Sequence, residues 1–402
     1  MWTRLTDSFS DCDRDSDVES DSSTLVYDHE PFDTFQTRVK VFAHSKIWPD
    51  ADLDDIAVER LLGGGYNRII GLTRQENEQT GSSEVRYILR LPRFDAAQVD
   101  REVAVLSFLE RNTQIPAPRV ITFDDTEEKM LISRYMIQNR IAGTDLFSTY
   151  PQLDHATRVK VAHELGSVFH KMLDTRSSVA GVLTFSAEDK SLDAPLFVTP
   201  FKPQDNLPGV LYSNSPTTRT VLDLLTSSFK AQKAAALESY SKDYLTPMLM
   251  DKFYAMASEL DARGWLKDVP NCLVHLDLAP RNILINPTDD IQLPVLSAVL
   301  DWDSAVFAPM FMACEPPLWM WGWLEDEEED ERTANDDPPT HEDRELKKTF
   351  EEAAGKDYMR FAYGYGYRLA RRLFRFAVDG QIRSSQDHKE ATRMLEEWEA
   401  LR

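Results

Sequence analysis

The stretch that decides the fold is His275-Leu-Asp-Leu-Ala-Pro-Arg-Asn282, with Asp301-Trp-Asp303 following it. Between the two, apolar runs at residues 283–285 and 298–300 flank a turn-rich connection, which predicts an antiparallel hairpin. The start of the first strand in such a hairpin lies beside the end of the second. We therefore expect Asn282 and Asp301 to face one site, although they are far apart in the sequence.

Oxygen donors at Asn282, Asp301 and Asp303 indicate a magnesium site. Mg²⁺ prefers hard oxygen ligands, keeps several waters and completes its coordination with substrate phosphates. Asp277 precedes the hairpin on a tight loop, where it can accept the proton of a substrate hydroxyl, as the base does in phosphoryl transfer. A plainer alternative is that these residues only cap turns, which acids and asparagine favour.

Two further side chains of the loop are candidates for catalytic roles. For His275 we favour hydrogen bonds that hold the loop over acid–base work, although the pKa of histidine suits proton transfer. Arg281 either contacts the transferred phosphate or steadies Asp277.

A glycine-rich turn lies in the N-terminal half, at Gly63-Gly64-Gly65-Tyr66-Asn67-Arg68, between two strand-like runs. Glycines there allow backbone N–H groups to approach phosphate oxygens. An ordinary hairpin turn remains the alternative, because the last glycine of G-x-G-x-x-G is missing. A dinucleotide-binding dehydrogenase is disfavoured, because the chain lacks a clear βαβ unit and an acid about 20 positions further on.

A strand and a helix after this turn each carry one charge of a predicted pair. Along the strand, Arg86, Ile88 and Arg90 share one face. In the helix predicted from Val99, Glu102 falls within the apolar stripe. A buried carboxylate is costly without a cation, so we expect Arg90 to pair with Glu102 and to direct its guanidinium at a phosphate.

These motifs together resemble a known family. H-x-D-x-x-x-x-N followed by D-W-D is similar to the catalytic loop and metal motif of the aminoglycoside phosphotransferase and choline kinase family, within the protein kinase-like superfamily. The combination GGGYNR, YILRLPR and LDWD looks most like its fungal branch. The resemblance implies a two-lobed α+β fold, with a small mixed N-lobe containing an antiparallel sheet and a larger, mainly helical C-lobe.

The same resemblance implies ATP and Mg²⁺ as cofactors. It gives Asp277 the role of base and Asn282 and Asp301 metal roles, and Arg90 stands where the family pattern has lysine. Residues 132–136 correspond to the hinge whose backbone binds adenine. The implied nucleotide site comprises Gly63, Gly64, Gly65, Asn67, Ile88, Arg90, Glu102, Arg134, Tyr135 and Met136.

The acceptor is expected to be a small molecule rather than a protein. D-W-D runs within about a dozen residues into Pro316-Pro317, which leaves no activation segment of the protein kinase type. Family members phosphorylate aminoglycosides, choline, homoserine, sugars and related hydroxylated metabolites, and the choice among them stays open. Trp319, Trp321 and Trp323 either stack on a cationic substrate or, as we favour, pack in the core.

Composition divides the chain and excludes some partners. We expect an acidic disordered tail at 1–24, an N-lobe at 25–138 and a C-lobe at 139–402 with an acidic loop at 325–343. That loop is either a solvated connection or an attractor of cationic substrates. A net charge of −23 disfavours binding to nucleic acid or to an anionic membrane. Three scattered cysteines and the lack of a long apolar run favour the cytoplasm.

Arginine at position 90 leaves a second function open. Arginine and lysine differ in reach and geometry and are not interchangeable at a phosphate site. The alternative to an active phosphotransferase is a catalytically weak, pseudokinase-type regulatory or scaffold protein that binds nucleotide.

Overall fold

The computed structural model describes residues 30–61, 67–76, 83–93, 99–186, 188–201, 220–238, 245–287, 293–322, 330–379, 382 and 384–402. Several predictions fall outside these residues. They concern the tail at 1–24, the glycines 63–65, Trp323 and the first part of the acidic loop, 325–329.

A five-stranded antiparallel sheet forms the N-lobe, in the order β1-β2-β3-β5-β4. Helix α1 packs on one face of this sheet through Phe35, Val39 and Phe42, which share a cluster with buried residues of β2, β3 and β5. The elements are α1 Phe32–Lys46, β1 Ile56–Arg60, β2 Asn67–Arg74, β3 Val85–Pro92, α2 Val99–Asn112, β4 Val120–Glu128 and β5 Ser133–Asn139.

The C-lobe is mainly helical, with two small antiparallel sheets. Its sheets have the orders β7-β10-β13-β8-β9 and β12-β11-β6. Its helices are α3 Leu146–Thr149, α4 His155–Asp174, α5 Val221–Glu238, α6 Leu245–Ala262, α7 His341–Tyr363, α8 Tyr365–Asp379 and α9 Ser385–Ala400. Its strands are β6 Thr144–Asp145, β7 Arg176–Ser177, β8 Gly181–Phe185, β9 Leu196–Pro200, β10 Asn271–Val274, β11 Ile283–Ile285, β12 Leu296–Val299 and β13 Val306–Pro309.

Helix α2 joins the two lobes. Its predicted apolar stripe is buried in one cluster that contains C-lobe residues together with Val120 of β4 and Met136 of β5, so the helix packs against both lobes. Phe108 of α2, for example, meets Phe307 of β13 edge to face, with ring centroids 5.7 Å apart. The helix that carries Glu102 is therefore fixed to the lobe that carries the catalytic loop.

The predicted hairpin is present. Strand β11 pairs with β12 antiparallel, with Ile283 opposite Val299. The Leu300 amide extends the pairing by donating to the Asn282 carbonyl at 2.7 Å. At the other end of β12, the Glu164 carboxylate accepts hydrogen bonds from the amides of Val295 and Leu296. The hairpin is thus held in register at both ends.

Among the helices of the described residues, none combines the length and the apolar character needed to cross a bilayer.

Gly166 lets helices α4 and α7 approach closely. A Cβ atom at this position would lie 2.5 Å from the Phe350 carbonyl oxygen and 2.8 Å from the Ala353 Cβ. Both obstacles belong to α7 near its backbone, so neither can move aside without shifting the helix.

We predict that Gly166→Ala lowers the free energy of unfolding by about 1–3 kcal/mol, as overpacking does. Helix propensity alone would favour alanine by about 1 kcal/mol, so a net loss reports the clash. Urea denaturation measures the change, with Ser167→Ala, one position along the same helix, as control. Unchanged stability of Gly166→Ala would contradict the close packing.

Candidate active site

The hairpin brings the predicted metal ligands to one cavity. Asn282 ends the catalytic loop and is 7% exposed. Asp301 follows β12 in a left-handed backbone conformation with φ of 64°, which turns the chain sharply out of the strand. Both residues line a cavity of about 300 Å³.

Asp277 is held by its neighbours in the loop. The Asn282 amide nitrogen donates to the Asp277 Oδ2 at 3.0 Å and to its backbone carbonyl at 2.8 Å. The Arg281 guanidinium donates to Oδ1 at 2.6 Å. In this orientation the Asn282 amide nitrogen is hydrogen-bonded to Asp277. The amide oxygen is therefore the atom of this side chain that can bind a metal.

His275 uses both ring nitrogens inside the protein. Nε2 donates to the Leu300 carbonyl at 2.8 Å, and Nδ1 accepts from the Asp277 amide at 3.3 Å. This pattern requires the neutral tautomer, and burial lowers the pKa of the ring accordingly. His275 therefore fixes the loop, as we favoured, and its ring also packs edge-on against Trp302.

The Arg90–Glu102 pair expected from the sequence is present, and Arg90 has a second partner. Its guanidinium lies 3.3 Å from Glu102 and 2.7 Å from the Asp301 Oδ1. Burial opposes its charge, but Glu102 and Asp301 outweigh that effect and raise the pKa of Arg90. Arg90 is the bridge between the N-lobe sheet, α2 and the metal motif.

Three carboxyl groups lie around the Arg90 guanidinium. Burial raises the pKa of Glu102 to about 8 against the opposing effect of Arg90, with Asp303 and Asp301 adding to the rise. Burial and the neighbouring Asp301 likewise raise the pKa of Asp303 to about 6. Arg90 outweighs burial at Asp301, whose pKa is lowered. Additional positive charge would therefore stabilise this cluster.

The donor set fits Mg²⁺ held jointly with phosphates. Within the described residues, no group of three or more His, Cys, Asp or Glu side chains is arranged as a complete metal site. Mg²⁺ does not require one, because it commonly takes one or two carboxylates and completes its shell with water and substrate oxygens. Asn282, Asp301 and the nearby Asp303 supply such a partial set.

The smaller cavity contains some, but not all, of the predicted nucleotide residues. Asn67, Ile88 and Arg90 line it, whereas the glycines 63–65 lie outside the described residues. Glu102 reaches the site through Arg90. On the side of β5, the wall of the smaller cavity consists of Gln138, Asn139, Arg140 and Ile141.

The residues predicted to form the hinge lie away from the smaller cavity. Arg134, Tyr135 and Met136 lie within β5 and do not line the cavity. Tyr135 packs on Phe42 and Met136 is in the core. The sheet continues to Asn139 because Gln138 and Asn139, although polar, still pair with β3. The chain therefore leaves the sheet several residues later than its polarity indicates.

A second, larger cavity lies on the other side of the catalytic loop. Its volume is about 750 Å³, and His275, Asp277 and Arg281 form part of its wall. Trp319 and Trp321 line it and are also at least nine-tenths buried in the core, so the packing role we favoured is present, and stacking on a cationic substrate stays a prediction. Its charged lining consists of the acids Asp277, Glu315, Asp330, Asp336 and Asp337 and the bases Arg281 and Arg375.

The second half of the acidic loop reaches this cavity. Asp330, Thr333 and residues 336–339 line it. Asp336 and Asp337 are also exposed to solvent, so both predicted roles of the loop stay open. The loop is shorter than predicted at its C-terminal end, because Thr340 caps α7 and the helix begins at His341.

Sequence reasoning did not identify Arg101, Arg371 or the Gln138–Ile141 wall as parts of the site. Arg101 is largely buried and interacts electrostatically with Asp303. Its position next to Glu102 at the start of α2 is the sequence feature that could have indicated its place near the site. Arg371 makes four hydrogen bonds behind the wall of the larger cavity, and its only sequence signal is an arginine within an apolar helical stripe.

Comparison with known proteins identifies relatives of this arrangement. The model of a family described as the phosphotransferase enzyme family matches residues 74–312. No match was found among curated proteins. The solved structure of ADP-bound aminoglycoside phosphotransferase APH(2'')-Ib is 13% identical, with 89% of this chain and 96% of that chain covered and a TM-score of 0.50.

A further solved structure is similar at lower scores. Aminoglycoside phosphotransferase APH(4)-Ia is 18% identical, with 91% of this chain and 97% of that chain covered and a TM-score of 0.46. The match to APH(2'')-Ib supports the predicted kinase-like two-lobed α+β fold, which is confirmed. The likeness to the fungal branch stays a prediction.

We predict that Arg90→Met destabilises the protein by roughly 3–5 kcal/mol, because it leaves Glu102 buried without its cation. The loss should depend on pH. A carboxyl with a raised folded-state pKa favours folding at low pH, and this contribution disappears as pH rises through the folded pKa, which is about 8 for Glu102 even with Arg90 present. Urea denaturation should therefore show a smaller deficit at about pH 5 than at about pH 8.

Arg86→Met is the matched control, because Arg86 lies on the same strand but is exposed and pairs with Glu84 at the surface. It should change stability by less than about 1 kcal/mol. An equal effect of the two substitutions, or a deficit independent of pH, would contradict the buried charge cluster.

Proposed function

This chain belongs to the phosphotransferase enzyme family and is a small-molecule kinase, with an alcohol group as acceptor; on that premise we propose its cofactors, catalytic groups and acceptor class. ATP binds in the smaller cavity and a hydroxylated small molecule in the larger one. One observation carries the proposal: the same loop contributes Asp277 to the wall of the larger cavity and Asn282 to the wall of the smaller one. A donor and an acceptor bound on its two sides would meet at Asp277.

Asp277 acts as the base in this proposal. Its carboxylate accepts the proton of the acceptor hydroxyl while the hydroxyl oxygen forms a bond to the γ-phosphorus. The bond between that phosphorus and the bridging oxygen of ADP breaks, and ADP leaves with the electron pair. Arg281, bonded to Asp277 Oδ1, steadies the base and is within reach to offset negative charge on the transferred group.

Mg²⁺ is held by the Asn282 amide oxygen and the Asp301 carboxylate, with Asp303 nearby. When bound, it neutralises charge on the phosphates of the nucleotide. The excess of carboxylates over cations in this cluster supports the assignment. So does the orientation of Asn282, whose amide nitrogen is committed to Asp277.

Arg90 takes the place of the lysine that contacts the phosphates in the kinase pattern. It lines the nucleotide cavity, and its planar guanidinium suits bidentate contact with phosphate. Its contact with Asp301 has to loosen when metal and phosphates arrive, whereas its contact with Glu102 can persist. A weakly catalytic, nucleotide-binding regulator remains the second candidate, because this substitution alters the reach of the cation.

The acceptor is a hydroxylated amine or a related cation. Five acids against two arginines line the larger cavity, and two tryptophan rings form part of its wall. Carboxylates attract a cation and aromatic faces can stack on it. We also propose that the protein acts in the cytoplasm, without nucleic acid or membrane partners.

We predict that Asp277→Asn reduces turnover about 10²- to 10⁴-fold, the usual contribution of a general base. The probe is ADP release from Mg-ATP with a panel of aminoglycosides, choline and sugars. Binding of Mg-ATP should survive, and thermal stabilisation by the nucleotide checks that. Asp174→Asn, at an exposed aspartate in α4, is the control and should match the wild type.

Turnover that is unchanged in Asp277→Asn would rule out the proposed base. Mg-ATP binding by the wild type without ADP release from any acceptor in the panel would favour the regulatory candidate.

A further inference from the structure

We propose that Arg371 is a positioning residue for the acceptor site: it fixes the acidic strap, defined as residues 330–340, as a wall of the larger cavity. The inference rests on the proposed function, because it assigns the acceptor to that cavity. Arg371 does not line the cavity itself and acts only through the strap and its neighbours.

Arg371 is a fully buried cation with an unusual number of acceptors. It lies in α8 and is 1% exposed. Nη1 donates to the carbonyls of Phe311 and Phe361 at 3.0 and 2.8 Å. Nη2 donates to the Ala362 carbonyl at 3.0 Å and to the carboxylate of Glu331. A guanidinium presents its donors in a fixed plane, so these acceptors are held in one relative arrangement.

These acceptors belong to separate parts of the cavity wall. Glu331 is in the strap, beside the lining residue Asp330. Phe311 immediately precedes Met312 and Ala313, which line the cavity on another side. Phe361 and Ala362 belong to the last turn of α7. One side chain therefore joins the strap to α7 and to the segment that leads into Met312 and Ala313.

Other cations hold the strap by its backbone. Lys347 donates to the carbonyls of Ala334 and Asp336 at 2.9 and 3.0 Å. Arg344 donates to those of Pro338 and Pro339 at 2.9 and 3.0 Å.

Two carboxylates of the strap, those of Asp336 and Asp337, take no part in this anchoring. Throughout the described part of the chain, no ion pair joins Asp336 or Asp337 to a basic side chain. Because the anchoring cations donate to carbonyls and to Glu331, these two acids stay available to a cationic acceptor. Anchoring of the strap and recognition of the acceptor thus use different groups.

The test compares Arg371→Lys and Glu331→Gln with the control Arg372→Lys. Lysine keeps the charge of Arg371 but cannot bridge its acceptors, and glutamine removes only the charge of Glu331, a residue at the rim of the core. Arg372 is the next residue in α8 but pairs with Glu397 of α9, away from the cavity. Steady-state kinetics with the best acceptor from the panel is combined with hydrogen exchange of the strap amides.

We expect both test variants to raise the acceptor KM at least about tenfold, the effect of losing one charge-assisted hydrogen bond. The ATP KM should stay unchanged and the strap amides should exchange faster, while Arg372→Lys behaves as wild type. A general loss of structure would instead raise the KM for the acceptor and the KM for ATP together. It would also speed amide hydrogen exchange throughout the C-lobe.

The proposal is overturned if the acceptor KM is unchanged, if the ATP KM rises equally, or if strap exchange stays at the wild-type rate. Absence of turnover in the wild type would contradict the proposed function. Hydrogen exchange then still decides whether Arg371 positions the strap.

Discussion

The backbone of Leu300 holds the loop 275–282 in place through two hydrogen bonds. Its N–H binds the Asn282 carbonyl at 2.7 Å, and its carbonyl accepts a hydrogen bond from His275 at 2.8 Å. One residue at the end of β12 therefore fixes both ends of the catalytic loop and, one position later, begins the metal motif at Asp301. The loop, the base and the metal ligands can hold a constant geometry only while the hairpin keeps its register.

The charged groups beside this loop include more carboxyl groups than guanidinium groups. Three carboxyl groups, those of Glu102, Asp301 and Asp303, lie around Arg90. Burial, with a smaller contribution from the neighbouring carboxylates, raises the pKa of Glu102 and of Asp303. A cation stabilises such a cluster, so the proposed divalent metal would offset part of the cost of burying these carboxyl groups. Perturbed carboxylates in a cleft are typical of functional sites for this reason. An excess of acids over bases also lines the larger cavity, for which we propose a role in recognising the acceptor.

Much of this site could be predicted from the sequence, because local rules govern it. Alternation in β3 and helical periodicity in α2 were sufficient to pair Arg90 with Glu102. The contact of Arg90 with Asp301 joins residues 211 positions apart, and no local rule predicts it. Residues 134–136, matched to the adenine hinge by family resemblance, lie within β5, which continues through Gln138 and Asn139 by pairing with β3. The adenine contact stays a prediction. Three of the four acceptors of Arg371 are backbone carbonyls. Because every residue has a carbonyl, the sequence does not indicate which ones bind this arginine.

The central claim is that Asn282 and Asp301 form a metal site that is completed by nucleotide. Electron paramagnetic resonance of Mn²⁺, titrated into the protein with and without a non-hydrolysable ATP analogue, tests it directly. The account predicts one tight site that forms only with the nucleotide and disappears in the Asn282→Ala and Asp301→Asn variants, while a control substitution at Asp174 retains it. Nucleotide-dependent Mn²⁺ binding that persists in both variants would contradict the account.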